Sequence, residues 1–118
     1  MKQVLIVEDH PDHAFLLQEI LTREMYLTTT TTNIFVVLEM LKKQQVCLIL
    51  LDISMPEMSG DMMIREIRRI DNDVPIIMTT CDTNEQMKIN CLNLGANYYM
   101  VKPILVKDLT RFLDNLEL

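Results

Sequence analysis

The chain has 118 residues, of which 49% are hydrophobic and 24% are charged, with 2 glycines and 4 prolines. This length is typical of one domain with one hydrophobic core, and the composition excludes disordered, collagen-like and disulfide-scaffold proteins. The 11 basic and 17 acidic side chains give a net charge of −6, which disfavours direct binding to nucleic acid or to anionic membranes, because both are negatively charged.

Cysteine usage and the N-terminal residues predict a cytoplasmic protein. Cys47, Cys81 and Cys91 are odd in number and lack the spacing of zinc ligands, so we expect reduced thiols. The segment MKQVLIVED has too few apolar residues for a signal peptide. No apolar run approaches the roughly 20 residues of a membrane span. We therefore expect no membrane partner.

In the first half of the chain, apolar runs of strand length alternate with segments of helical period. Residues 4–7 predict a first strand, and helical spacing of apolar side chains follows from residue 14, with Asp12 placed to cap the first turn. Residues 26–32 are rich in threonine and poor in large aliphatic side chains, which predicts a strand at a sheet edge. Asn33 is the predicted N-cap of a second helix.

The second half continues the same alternation. Residues 46–51 form an uninterrupted apolar run, as in a strand that is covered on both faces of a parallel sheet. Further strands are predicted at residues 74–78 and 98–101. The three remaining helices have the apolar stripes Met63, Ile64, Ile67 and Ile70; Met87, Cys91 and Leu94; and Val106, Leu109, Leu113 and Leu116. Strands alternating with helices predict an α/β fold, a doubly wound five-stranded parallel sheet with five helices.

Polar side chains follow four of the strands at their carboxyl ends, where parallel sheets bind ligands. They are Glu8 and Asp9, Asp52, Thr80, and Lys102. Converging carboxylates repel one another. A bound Mg²⁺ ion, which prefers oxygen ligands, would offset this repulsion. A carboxylate backed by a metal ion and a lysine can attack phosphorus, and a nearby hydroxyl can bind phosphoryl oxygens. Asp52 is the predicted nucleophile.

Two glycines are too few for a nucleotide-binding loop. Gly60 and Gly95 can build neither the dinucleotide motif nor the P-loop motif. Both of these sites are therefore excluded.

Four segments, VEDHPD, LLDISMPEMSG, PIIMTTC and GANYYMVKP, resemble the receiver domain of two-component response regulators, a family that includes the chemotaxis response regulator. The resemblance covers nearly the whole chain, and we interpret residues 1–118 as one such domain. It implies a flavodoxin-like sheet with strand order 2-1-3-4-5. It also implies site roles: Asp52 as phosphoacceptor, Lys102 as phosphoryl ligand, Thr80 as switch hydroxyl, Tyr99 as switch aromatic, and Asp9, Asp52, the Ser54 carbonyl and, through water, Glu8 as Mg²⁺ ligands.

The resemblance implies a signalling switch rather than a metabolic enzyme. Asp52 would take a phosphoryl group from a histidine kinase or a phosphotransfer protein. The surface of the fourth helix, fifth strand and fifth helix would then change, and an output domain or protein would read it. A homodimer through that surface is a further hypothesis.

Two alternatives remain open. A hydrolase of the haloacid dehalogenase type also uses an aspartate nucleophile and Mg²⁺, but its expected second aspartate is replaced by Ser54. A degenerate receiver would bind partners without phosphorylation. The presence of Glu8, Asp9, Asp52, Thr80 and Lys102 argues against it.

Other side chains near the site are interpreted as follows. His10 and His13 lack the further ligands of a metal site, so we expect both to be exposed at a helix start. Cys81 is expected to be a buried thiol with little thiolate character. The resemblance implies that Ser54 and Asp82 modulate how fast the phosphoryl group is hydrolysed.

Overall fold

The computed structural model describes residues 3–55, 58–81 and 83–116. Within these ranges, five strands alternate with five helices, as predicted. The elements are β1 (Gln3–Val7), α1 (Pro11–Arg23), β2 (Leu27–Thr31), α2 (Ile34–Lys42), β3 (Val46–Asp52), α3 (Gly60–Ile70), β4 (Ile76–Thr80), α4 (Glu85–Leu94), β5 (Tyr98–Val101) and α5 (Val106–Asp114).

The strands form one parallel sheet in the order β2-β1-β3-β4-β5, which confirms the flavodoxin-like fold. The threonine-rich β2 lies at one edge, as predicted, and β3 lies at the centre. β1 and β3 pair with Val7 beside Leu51. The residues that follow these two positions therefore emerge at the same level of the sheet edge.

The sheet is apolar because both of its faces are covered. Leu5 and Val7 of β1 pack with α2, α3 and α4, whereas Val4 and Ile6 pack with α1 and α5 on the opposite face. Successive side chains of a strand point to opposite faces, so a strand covered on both faces needs an uninterrupted apolar run. None of the described helices is long and apolar enough to span a membrane.

The predicted start of β4 is wrong by two residues. The strand begins at Ile76, whereas the apolar run begins at Val74. The Asp71 side chain accepts the N–H groups of Asp73 and Val74 at 2.9 Å each, and these bonds hold the chain in a turn. Pro75 has no N–H for the ladder, so the strand starts after it.

Two expectations at helix starts are corrected and one is confirmed. Asp12 is not a cap: α1 begins at Pro11, the N-cap residue is His10, and no side chain caps the helix. Proline fits the first helical position because no N–H is needed there. Asn33 does cap α2, since its side chain accepts a backbone N–H of the first turn. Val106 begins α5 and is 49% exposed, so it lies outside the apolar face.

Candidate functional site

Three carboxylates meet at the carboxyl ends of β1 and β3. One oxygen each of Glu8, Asp9 and Asp52 lies within 4.8 Å of the other two. Glu8 and Asp52 are each only 3% exposed, whereas Asp9 is exposed. The pairing of Val7 with Leu51 brings these groups together, because Glu8 and Asp9 follow Val7 and Asp52 follows Leu51.

Lys102 brings a positive charge into the cluster from the end of β5. Its Nζ lies 2.8 Å from Glu8 Oε1 and 3.2 Å from Asp52 Oδ2. Its backbone N–H donates to the Thr80 carbonyl at 2.6 Å, and the bond to Pro103 is cis. Burial lowers the pKa of Lys102, but the two carboxylates outweigh burial and raise the pKa above its ordinary value. The side chain is therefore a stable ammonium group.

Glu8 is held by three donors. Its Oε2 accepts the His10 N–H at 3.1 Å, and its Oε1 accepts from Lys102 and from His13 Nδ1, the latter at 2.5 Å. Burial raises the pKa of Glu8, but its hydrogen-bond partners, His13 foremost, bring that pKa well below its ordinary value. Glu8 is therefore an ionised carboxylate at neutral pH.

The expectation that His13 is exposed is wrong. Its side chain, in the first turn of α1, is only 10% exposed and contacts Glu8. His10 is exposed, as expected. The sequence signal that could have predicted the contact is Glu8, an acidic residue directly after an apolar run and five residues before His13.

Asp52 is less completely satisfied than Glu8. Its Oδ1 accepts the Ser54 N–H at 2.9 Å, and its Oδ2 shares the Lys102 ammonium with Glu8. Burial and the neighbouring Glu8 raise the pKa of Asp52 above its ordinary value, against the opposite effects of Ser54 and Lys102. The carboxylate is thus buried beside a second carboxylate and is charged at neutral pH only at a cost.

Thr80 and Tyr99 lie on the same face of the sheet. Thr80 ends β4, is fully buried and pairs with Val101 of β5. Tyr99 is two residues before Val101 on that strand and packs against the apolar layer of α2, α3 and α4. Cys81, which follows Thr80, is exposed, so the expectation of a buried thiol is wrong.

Two predicted positions lie near the end of β3 and after β4. Ser54 is exposed two residues beyond Asp52. Asp82 lies outside the described residues.

The donor set of the cluster fits Mg²⁺. All three side chains offer oxygen, and Mg²⁺ binds oxygen ligands octahedrally at about 2.0–2.1 Å, which places them roughly 3–4 Å apart. The carboxylate oxygens, within 4.8 Å of one another, come close to that spacing.

Comparison with known proteins agrees with this architecture. Residues 4–114 match the family described as the response regulator receiver domain. The chain belongs to this family. The receiver domain is 34% identical over 116 residues to response regulator SaeR of Staphylococcus aureus, covering 98% of this chain and 50% of SaeR. The chain thus spans about half the length of the curated relatives it matches.

Two solved structures illustrate the fold of this receiver domain. The receiver domain of the sensor histidine kinase PA1611 from Pseudomonas aeruginosa aligns with a TM-score of 0.84 and 30% identity, over 96% of this chain and 94% of that one, and has a magnesium ion in its active-site cleft. A CheY-like receiver domain protein from Methanospirillum hungatei aligns with a TM-score of 0.86 and 25% identity, over 97% and 91% of the two chains. Receiver domains are signalling modules of two-component systems, in which they interact with histidine kinases and output domains.

Proposed function

We propose that residues 1–118 act as one cytoplasmic receiver domain that accepts a phosphoryl group on Asp52 with Mg²⁺ as cofactor. The observation that carries this proposal is the clustering of Glu8, Asp9, Asp52 and Lys102 at one sheet edge. The magnesium ion in the PA1611 structure supports the choice of metal. The acidic donor set of this chain supports it independently.

The proposed donor is a phosphorylated histidine on a histidine kinase or a phosphotransfer protein. An Asp52 carboxylate oxygen forms a bond to phosphorus while the phosphorus–nitrogen bond breaks. The imidazole leaves with the electron pair of that bond and takes up a proton. Lys102, already 3.2 Å from Asp52 Oδ2, binds the transferred phosphoryl oxygens through its ammonium group.

Four groups would hold the metal ion. Asp9, Asp52 and the Ser54 carbonyl would bind it directly, and Glu8 would bind it through water. Bound Mg²⁺ supplies the positive charge that offsets the carboxylates and the phosphoryl oxygens. Asp52 is thereby kept ionised, and so nucleophilic, despite its raised pKa.

The proposed readout is a change at the surface formed by α4, β5 and α5. The Thr80 hydroxyl would bind the phosphoryl group and Tyr99 would follow it, because the two side chains share one face of adjacent strands. The surface is already apolar in places. Its exposed apolar residues are Ile89, Leu92, Tyr98, Val101, Leu105 and Val106.

An output domain, a downstream protein or a second copy of the chain would bind this α4-β5-α5 surface. Sedimentation with and without a beryllofluoride phosphoryl analogue tests the homodimer. An unchanged mass would refute phosphorylation-dependent dimerisation.

The experiment that tests the phosphoacceptor is intact mass measurement after incubation with Mg²⁺ and acetyl phosphate. We expect one phosphoryl adduct on the wild type and none on Asp52→Asn. The exposed Asp12 offers a matched control, and Asp12→Asn should still carry the adduct. An adduct on Asp52→Asn would place the acceptor elsewhere.

A second donor decides between this proposal and a degenerate receiver. Folded wild-type protein that gains no adduct from either acetyl phosphate or a phosphohistidine donor would favour the binding module. The charged cluster disfavours that alternative, because partner binding alone does not require two buried carboxylates and a shared ammonium group.

A further inference from the structure

His13 uses only one of its two ring nitrogens. Its Nδ1 contacts Glu8 Oε1 at 2.5 Å, whereas its Nε2 is buried without a hydrogen-bond partner among the described residues. An ionised carboxylate only accepts hydrogen bonds, so Nδ1 carries the hydrogen of this bond. The ring is mostly buried and its Nδ1 is bonded to Glu8, so its orientation is fixed.

The three donors to Glu8 differ in whether they stay bound to it during the proposed phosphoryl transfer. The His10 N–H belongs to the backbone between β1 and α1 and stays on Oε2. Lys102 is shared with Asp52 and, in the proposed function, is drawn to the phosphoryl group. Within the part of the chain that the structure describes, His13 is then the side-chain donor that continues to fix Oε1.

We propose that His13 is a positioning residue that orients Glu8 toward the metal ion. This inference rests on the proposed function, because Glu8 is a metal ligand only there. Groups that donate hydrogen bonds to metal-binding side chains fix their direction, and loss of such a group typically lowers metal affinity about 10–100-fold. His13 does not contact the phosphoryl group and acts through Glu8.

Two amide variants separate positioning from packing. In His13→Asn the amide nitrogen is bonded to Cγ, as Nδ1 is, and can still donate to Glu8. In His13→Gln the amide nitrogen lies one bond further out, near the place of Nε2, and fills more of the space without restoring the bond. Both side chains are polar and suit the first turn of α1.

The measurement is the Mg²⁺ dissociation constant of the unphosphorylated chain, obtained from calorimetric titration, with the Tm of each variant. We expect His13→Asn to bind Mg²⁺ within about twofold of the wild type and His13→Gln to bind it about tenfold more weakly. At saturating Mg²⁺ the rate of phosphorylation by acetyl phosphate should be the same within about twofold in all three proteins. The ¹⁵N shifts of the His13 ring should show a hydrogen on Nδ1.

Several outcomes would overturn the inference. Wild-type affinity in His13→Gln would remove the positioning role and leave the proposed function intact. An Asn variant as weak as the Gln variant would show that the ring acts by packing alone, and an Nδ1 without a hydrogen would contradict the geometry. A wild type that binds no Mg²⁺ would refute the proposed function and this inference together.

Discussion

Replacing Lys102 with methionine tests the charge balance of the site directly. The variant keeps a side chain of similar length but removes the ammonium group that lies 2.8 Å from Glu8 and 3.2 Å from Asp52. At an effective dielectric constant of about 20, these contacts correspond to gross attractions of about 6 and about 5 kcal/mol. The desolvation of the lysine offsets part of this attraction, so the net loss is smaller.

Proton uptake sets a ceiling on the loss of stability. Without Lys102, Asp52 is the carboxylate that the folded variant protonates, because Glu8 keeps the His10 N–H and His13 as donors whereas the pKa of Asp52 is already raised. The ordinary pKa of Asp52 is 3.8, so at about 1.36 kcal/mol per pH unit this uptake costs about 4 kcal/mol at pH 7 and about 2 kcal/mol at pH 5. We therefore expect Lys102→Met to lose about 2–4 kcal/mol of unfolding free energy at pH 7 and less than about 2 kcal/mol at pH 5.

The direction of this pH dependence follows from the two pKa shifts. In the wild type the lowered pKa of Glu8 contributes stability above the unfolded-state value, and that stability is lost progressively as the pH falls below about 4.5. In the variant Asp52 loses the ammonium group that lowers its pKa, so the already raised pKa of Asp52 rises further and stability is regained as the pH falls from 7 to 5. Added Mg²⁺ should also restore stability at pH 7, because it replaces the missing positive charge.

Urea denaturation in EDTA at both pH values measures the effect, and Lys42→Met is the control. Lys42 pairs with Glu39 at 3.5 Å, but both side chains are exposed, so its loss should cost less than about 0.5 kcal/mol. A Lys102→Met loss that is equal at pH 7 and pH 5, or no larger than the control, would refute this account of the cluster.

Two further predictions concern the surroundings of the site. Gly60→Ala should cost about 1–3 kcal/mol in thermal unfolding, because its Cβ would lie 2.9 Å from the Cα of Ile53, one residue after Asp52; an unchanged Tm would contradict this contact. A thiol reagent should label exposed Cys81 much faster than Cys91, which is fully buried with a raised thiol pKa. Loss of the fast phase in Cys81→Ser assigns it, and a fast phase that persists would refute the assignment.

The convergence of the charged groups could be predicted from the sequence because topology alone brings them together. Asp52 and Lys102 are 50 positions apart in the chain, yet both follow apolar runs that end at the same edge of a parallel sheet. The pattern of buried runs therefore locates the cluster without any contact information. The position of β2 at the sheet edge could also be predicted, because its threonine-rich sequence lacks the large aliphatic side chains of a strand that is covered on both faces.

The remaining errors lie where the chain leaves the sheet. Periodicity reports which face of a strand or helix is buried, but the ends of elements depend on local hydrogen bonds, such as those of Asp71 that delay β4. Cys81 follows a fully buried Thr80 and is exposed because the strand ends there. His13 was missed because a single turn of α1 decides whether its ring faces solvent or Glu8.

The fold stabilises the charge of Glu8 better than that of Asp52, and this difference explains why Asp52, rather than Glu8, is suited to react. Glu8 accepts from three donors and its pKa is lowered, so its charge is fully stabilised in the fold. Asp52 accepts one backbone N–H and a share of Lys102, and its pKa is raised. Any cation that enters the site therefore gains most by approaching Asp52, because the unfavourable charge is concentrated there. Glu8 holds Lys102 beside Asp52, so the ammonium group is in place before a phosphoryl group arrives.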